Sequence, residues 1–333
     1  MGKKAILSAG RRKIRVKFVD YWCEDHPQDD NLYKILSKRY DLELSDNPDY
    51  VFGQRFGYKH LYYENAIKIE KSGENTVPDF NFYDYAIGCD FLEFGDRYLR
   101  VPMVAFNPAY AKVCQATPPC PEVLLNRDFC SFVVSNGNGH PLRLKFFQEL
   151  SKYKKVSSGG RFMNNIGQPG GVRDKLDFIS HFKFNICFEN SASPGYTTEK
   201  IIQALAEFTV PIYWGNPLVE KDFNSSCFIL LRDEEDVERV IEEIIHLDKN
   251  DDEYLKRCTA ERFSFDYQKH YDQAILDFLS RIIDQPLEQA RRLMRQGFQP
   301  LLRKRELEHD ITYNKAARLY DFISRIRHPF DKH

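Results

Sequence analysis

The chain has 333 residues, 42% hydrophobic and 14% aromatic; this is long for a single domain of ordinary size and supplies apolar material for two cores. A formal net charge of −1, with the basic excess gathered into residues 286–333 (eleven Lys/Arg against six Asp/Glu), argues against a nucleic-acid binder and leaves a basic end suited to an anionic surface. The eight cysteines include no CxxC and no Cys/His group at zinc spacing, which excludes a zinc module and a stapled secreted scaffold and favours a reducing compartment. No apolar run approaches the roughly 18–20 residues of a membrane span. The opening MGKKAILSAGRRKIRVKF holds no signal-peptide core, so a cytoplasmic protein is expected.

The first half predicts short strands at 13–22, 49–53, 66–70 and 83–88. A helix is predicted over 29–40, where Leu32, Ile35 and Leu36 share a face. Pro108, Pro118, Pro119 and Pro121 predict a linker or long loop over 107–128. From 129 onward strands and helices alternate: strands at 129–136, 155–157, 182–190, 210–215 and 228–231, with helices at 140–153, 172–182, 197–208 and 233–250. The strands are near-continuous apolar runs, as in a parallel sheet buried on both faces, and the alternation predicts a doubly wound α/β fold. At 287–303 and 316–326 apolar residues recur at helical spacing with arginines between them. These basic amphipathic helices suit either docking on an anionic membrane surface or packing on the body, the second being preferred.

The segment 181–216, HFKFNICFENSASPGYTTEKIIQALAEFTVPIYWGN, concentrates the chemistry. A strand ending at Phe188 delivers Glu189 and Asn190 to the carboxyl edge of the sheet, where ligands bind in open α/β folds. Thr197 or Thr198 begins the next helix, with Glu199 and Lys200 in its first turn. Glu199 agrees with the helix dipole; Lys200 opposes it unless an anion joins them. A helix amino end with a lysine makes a diphosphate site, and Tyr196 lies within reach of a phosphate oxygen. Glu189 reads equally well as the structural partner of a nearby base. Cys187 reads as a buried thiol.

FKFNICFENS, GYTTEKIIQAL, VPIYWGNP and VEKDFN together resemble the donor motif of the α-1,3/4-fucosyltransferases, glycosyltransferase family 10. KSGEN at 71–75, PDFNFYDYAIGCD, DRYLRVP and SFVVSNGNGHPLRLKFFQEL resemble further segments of bacterial members, so the resemblance spans roughly residues 45–235. It implies a GT-B architecture, two Rossmann-like domains facing across a cleft: an acceptor-binding domain over 1–128, a GDP-fucose-binding domain over 129–285, and a basic helical tail over 286–333. It implies inverting transfer of L-fucose from GDP-β-L-fucose to the 3-hydroxyl, or 4-hydroxyl, of N-acetylglucosamine in N-acetyllactosamine-type glycans, giving Lewis-type structures, as on lipopolysaccharide.

Such a transfer needs a base, positive charge on the leaving GDP, and an exposed anomeric face. Family membership would make Glu74 the base. Arg143 and Lys200 are the candidates for the diphosphate, and Glu199 and Asn190 for ribose or fucose hydroxyls. No Asp-x-Asp pair occurs, so no metal is expected to be required, with room left for stimulation by Mn2+ or Mg2+. Peripheral contact of 286–333 with the inner membrane stays open, and no nucleic-acid partner is expected. Glu199 and Glu207 have the E-x7-E spacing of some retaining transferases, a chance match if Glu207 faces outward. Two alternatives stand: a GT-B transferase using another nucleotide sugar, and a non-catalytic glycan-binding protein. A dinucleotide dehydrogenase is disfavoured because no GxGxxG occurs.

Overall fold

The computed structural model describes residues 11–21, 23–54, 57–263 and 271–327, with side chains through residue 317. The chain forms two compact units. The first takes the described residues of Met1–Gly88, Glu93–Leu99 and Asp272–His333; the second takes Cys89–Leu92 and Arg100–Tyr271.

In the first unit, β1 (Lys13–Val19), α1 (Asn31–Leu36), β2 (Asp41–Leu44), β3 (Tyr50–Gly53), β4 (Ile67–Lys71), β5 (Tyr85–Gly88) and β6 (Tyr98–Arg100) give a six-stranded sheet of order β2-β1-β3-β4-β5-β6. The β1–β2, β1–β3, β3–β4 and β4–β5 pairs are parallel. β1 alternates: Ile14, Val16 and Phe18 are buried, while Lys13, Arg15 and Lys17 pair with Glu43, Asp49 and Asp46. That is the period-two pattern of a half-buried strand. α1 buries the predicted Leu32, Ile35 and Leu36, and Asp30 caps it by accepting from the Leu32 amide.

The second unit runs α2 (Pro108–Gln115), α3 (Pro121–Leu125), β7 (Asp128–Phe132), α4 (Leu142–Ser151), β8 (Val156–Ser158), α5 (Lys175–Ser180), β9 (Phe182–Phe188), α6 (Glu199–Ala206), β10 (Val210–Trp214), β11 (Ile229–Leu230), α7 (Val237–Lys249) and α8 (Asp251–Cys258). Its sheet order is β11-β10-β9-β7-β8, and its named pairs are parallel. Taken in chain order, its five strands repeat the arrangement of the first five of the other sheet, a doubly wound topology. Every residue of β9 is buried: Phe184, Ile186 and Phe188 join the core with Phe146, Leu150, Val240 and Ile244, and Cys187 joins Ile179, Ile201 and Leu205.

Three expectations are corrected. Residues 107–128 are not a linker, because Pro108 and Pro121 occupy first-turn positions of α2 and α3, where a missing N–H costs nothing. Asn107 caps α2, and Ala109 and Val113 pack with the α6 core, so this segment belongs to the second unit. The boundaries at 128 and 285 also move: α9 (Tyr271–Ile283), α10 (Leu287–Ala290) and α11 (Phe298–Arg327) return to the first unit rather than closing the second and starting a separate tail. The hydroxyls of Tyr50 and Tyr85 donate to the carbonyls of Ile283 (3.2 Å) and Ala290 (2.5 Å). The single helix expected over 287–303 is broken, since Asp84 accepts the amides of Arg292 and Leu293 at 2.7 and 2.8 Å. Beyond the break Met294, Phe298 and Leu301 are exposed. Among the described residues no helix is long and apolar enough to cross a membrane. The eight cysteines are free thiols.

Lys68, in β4, is 2% exposed. Burial pulls its ammonium down to about 8; Asp84 opposes the shift, and Arg303 and Arg291 add to it. Below that pH the lysine is charged in both the folded and unfolded states. Between about 8 and the ordinary 10.5 the folded chain gives up its proton first, so stability should rise with pH across that window. Lys68→Met should flatten the rise and add up to about 3 kcal/mol at pH 7. Urea midpoints at pH 7 and 9.5, compared between variant and parent, separate this lysine from tyrosines and cysteines titrating in the same range.

Candidate functional site

β7 and β9 are neighbours in the second sheet, and the strand order reverses between them. In doubly wound sheets the loops leaving the carboxyl ends on either side of such a reversal diverge, and ligands bind between them. Arg143, in the first turn of α4, ties the two loops together. It donates to the Asn136 carbonyl after β7 (3.1 Å), and to the Glu189 carbonyl (3.1 Å) and Asn190 Oδ1 (2.6 Å) after β9. The residue is 2% exposed, and its Nε has no hydrogen-bond partner among the described residues. Burial pulls its guanidinium below the ordinary value, with Glu189 opposing. Arg143→Ala would strip donors from three acceptors and should cost roughly 3 kcal/mol. Arg143→Lys should recover little, because one ammonium cannot span both loops. Urea midpoints measured beside GDP affinity check both.

Glu189 is 0% exposed and anchors a second network. Its amide continues the ladder to the Trp214 carbonyl at 2.9 Å. Its carboxylate accepts from the Thr198 amide (2.7 Å), the Thr198 hydroxyl (2.6 Å) and Lys200 Nζ (2.8 Å). Gly215 is required beside it: its φ is +152° and a Cβ would fall 2.5 Å from Glu189 Cγ. Burial pushes the Glu189 carboxyl up, while Lys200 and Thr198 pull it back. Burial also works against the charge on Lys200, but Glu189 and Glu199 outweigh it and hold the ammonium above its ordinary value. Glu199 lies 3.8 Å from Lys200 Nζ and 3.6 Å from Lys175 Nζ on α5. Against burial, these two lysines hold its carboxyl below the usual range. Two carboxylates and two ammonium groups therefore balance at the amino end of α6. The Thr198 side chain, spent on Glu189, makes no hydrogen bond to the α6 amides, so that helix end lacks a side-chain cap of its own.

Of the residues singled out in the sequence, Arg143, Asn190, Glu199 and Lys200 come together here. Tyr196 is packed, 4% exposed, and its carbonyl faces the Tyr213 hydroxyl at 3.5 Å. Glu207 caps the far end of α6 from Glu199 and is held by Lys112. Glu74 belongs to the first unit and is exposed on the loop after β4. Thr198 and Lys175 carried no sequence signal for their roles. Glu189 did: a lysine set against a helix dipole needs an acidic partner as much as a ligand.

Residues 16–107 match the alpha-(1,3)-fucosyltransferase FucT N-terminal domain, and residues 126–279 match the glycosyltransferase family 10 (fucosyltransferase) C-terminal region. The chain belongs to glycosyltransferase family 10. It is 33% identical to the alpha-(1,3)-fucosyltransferase FucT of Helicobacter pylori, over 81% of this chain and 66% of that relative; it thus spans about two thirds of the relative's length. A crystal structure of an alpha1,3-fucosyltransferase superposes with a TM-score of 0.73 at 32% identity, covering 85% of this chain and 93% of that one. A structure of an alpha1,3-fucosyltransferase with GDP-fucose gives a TM-score of 0.71 at 31% identity, with 85% and 94% covered. The family's two α/β domains are thus the two parallel-sheet units described above, and Arg143, Glu189 and Lys200 all lie within the stretch that matches its C-terminal region.

Proposed function

We propose that this protein is an inverting α-1,3-fucosyltransferase. It moves L-fucose from GDP-β-L-fucose to the 3-hydroxyl (4-hydroxyl for a related acceptor) of N-acetylglucosamine in N-acetyllactosamine-type glycans, making Lewis-type structures. The observation that carries this reading is the Glu189–Thr198–Lys200 network at the amino end of α6, which has no side-chain cap, at the point where the strand order of the second sheet reverses. Such a site takes a diphosphate, and it lies within the stretch that matches family 10. Lys200 and the α6 amides receive the diphosphate, and Arg143 adds a buried positive charge. Glu199 and Asn190 take sugar hydroxyls, and Glu74 takes the acceptor proton. Side chains neutralise the leaving group, so no metal is required; Mn2+ or Mg2+ would at most stimulate.

GDP release from purified protein tests this, with GDP-fucose and N-acetyllactosamine run beside UDP-galactose and GDP-mannose, with and without EDTA. Acceptor-dependent release from GDP-fucose alone, surviving EDTA, is expected. Release from another donor would replace the sugar and keep the class. GDP binding without turnover on any donor would favour a glycan-binding protein. The exposed Met294, Phe298 and Leu301, near Arg295, Lys304 and Arg305, support peripheral contact with an anionic membrane. Co-sedimentation with anionic but not neutral vesicles is expected.

A further inference from the structure

We propose that a cavity at the carboxyl end of β1, walled by α11, binds the sugars of a neutral glycan acceptor that lie beyond the reacting one. The proposal rests on the fucosyltransferase reading and adds a specificity site that includes the C-terminal helix. In the first sheet the strand order reverses between β1 and β3, so the end of β1 is that sheet's own ligand-binding position. A cavity of about 350 Å³ lies there, within the size range of small-molecule sites. The Glu74 loop begins at the end of β4, two strands away across β3, about 10 Å at the usual strand spacing. That is a span of one or two pyranose rings.

The cavity floor is set rigidly. Asp20 has a left-handed φ of 62° and is fixed by the amides of Lys59 and His60 (both 3.2 Å) and by His60 Nδ1 (3.0 Å). Gly57 makes room for it, since a Cβ there would lie 2.3 Å from Asp20 Oδ1. Strain held this firmly marks a working position more often than an idle one. Tyr21, another wall residue, is 7% exposed, and its hydroxyl has no hydrogen-bond partner among the described residues. Buried polar atoms rarely stay unsatisfied without a reason. Tyr58, 40% exposed, adds an aromatic face for sugar C–H groups. Asp310 and Asn314, one helical turn apart on α11, add hydrogen-bonding groups from the opposite wall. Asp20, Glu24 and Asp310 give three carboxylates, and Lys59 is the facing cation, paired to Glu24 at 2.7 Å. The excess negative charge suits uncharged sugars and repels sialylated or sulfated ones.

Steady-state kinetics on the full chain would test this with N-acetyllactosamine and its tetrasaccharide extension. Asp310→Ala/Asn314→Ala should raise the KM for the tetrasaccharide about five- to tenfold without moving the KM for GDP-fucose. Tyr313→Ala, on the same helix at 68% exposure, should leave the tetrasaccharide KM alone. Asp310→Lys should lower the KM for a sialylated acceptor. An unchanged tetrasaccharide KM in the double variant, or an equal rise in the KM for GDP-fucose, would overturn the assignment. If the parent transfers fucose to no acceptor, the fucosyltransferase reading falls by itself. Saturation-transfer NMR of the tetrasaccharide, without donor, then decides the cavity: binding lost in the double variant upholds it, and no binding to the parent removes it.

Discussion

Lys200→Ala should lower kcat/KM for GDP-fucose by about 10²- to 10³-fold, the usual result of removing one preformed stabiliser of developing charge. The ammonium is held in place before any donor arrives. It donates to Glu189 Oε2 at 2.8 Å and to Thr198 Oγ1 at 2.7 Å, and with 15% of its side chain exposed it is the outer member of the pair with the fully buried Glu189. If Lys200 receives the diphosphate as proposed, no reorganisation is needed when that group departs, and the catalytic benefit would arise there. The same variant strands a carboxylate at 0% exposure, so it should also lose about 3–5 kcal/mol of stability. The two effects separate in Glu189→Gln/Lys200→Met. With both charges gone, stability should return to within about 1 kcal/mol of the parent, because a buried pair replaced as a pair is often neutral; activity should stay low. A double variant that regains kcat along with its urea midpoint would make Lys200 a structural residue only.

Much of this site was legible because its signals are local. An apolar run ending at Phe188 implied a buried strand, the residues after it had to sit at the carboxyl edge, and a lysine in the first turn of α6 stood against the helix dipole. The structure adds who satisfies whom. A Glu at a strand end reads the same whether it faces water or a threonine hydroxyl, and the 2.6 Å contact from Thr198 decides for Glu189. The errors in organisation have a different cause. Four prolines within 107–128 read in sequence as breakers, yet Pro108, following the capping Asn107, begins a helix. For α9, Ile275, Phe278, Leu279, Ile282 and Ile283 carry a clear helical period and are buried, but a period says nothing about which sheet receives the face. The contacts that decide it, such as Tyr50 with Ile283, join residues 233 positions apart. A short window of sequence holds no trace of such a pairing, so a two-domain chain whose end returns to its first unit looks like two consecutive domains and a tail.

Glu74→Gln should lower kcat by about 10²- to 10⁴-fold, the range expected for a lost general base, with GDP affinity unchanged. The loop that carries it is shaped by its backbone. The Thr76 amide donates to the Glu74 carbonyl at 2.7 Å, and the Ser72 hydroxyl donates to the carbonyls of Glu74 and Thr76 at 3.5 and 3.1 Å. The carboxylate itself is exposed, so replacing it with an isosteric amide should move the urea midpoint by no more than about 0.5 kcal/mol in equivalent stability. Four other carboxylates at the carboxyl edge of the first sheet are already engaged. Glu70 is buried and accepts the Asp79 amide, Asp30 holds Lys71, Asp20 holds Lys59 and His60, and Glu24 holds Lys59. Glu70→Gln and Asp30→Asn should therefore cost stability before activity, the reverse of Glu74→Gln. A Glu74→Gln protein that keeps its kcat would take the base out of this loop, and none of these engaged carboxylates could replace it without first giving up the partner that holds it.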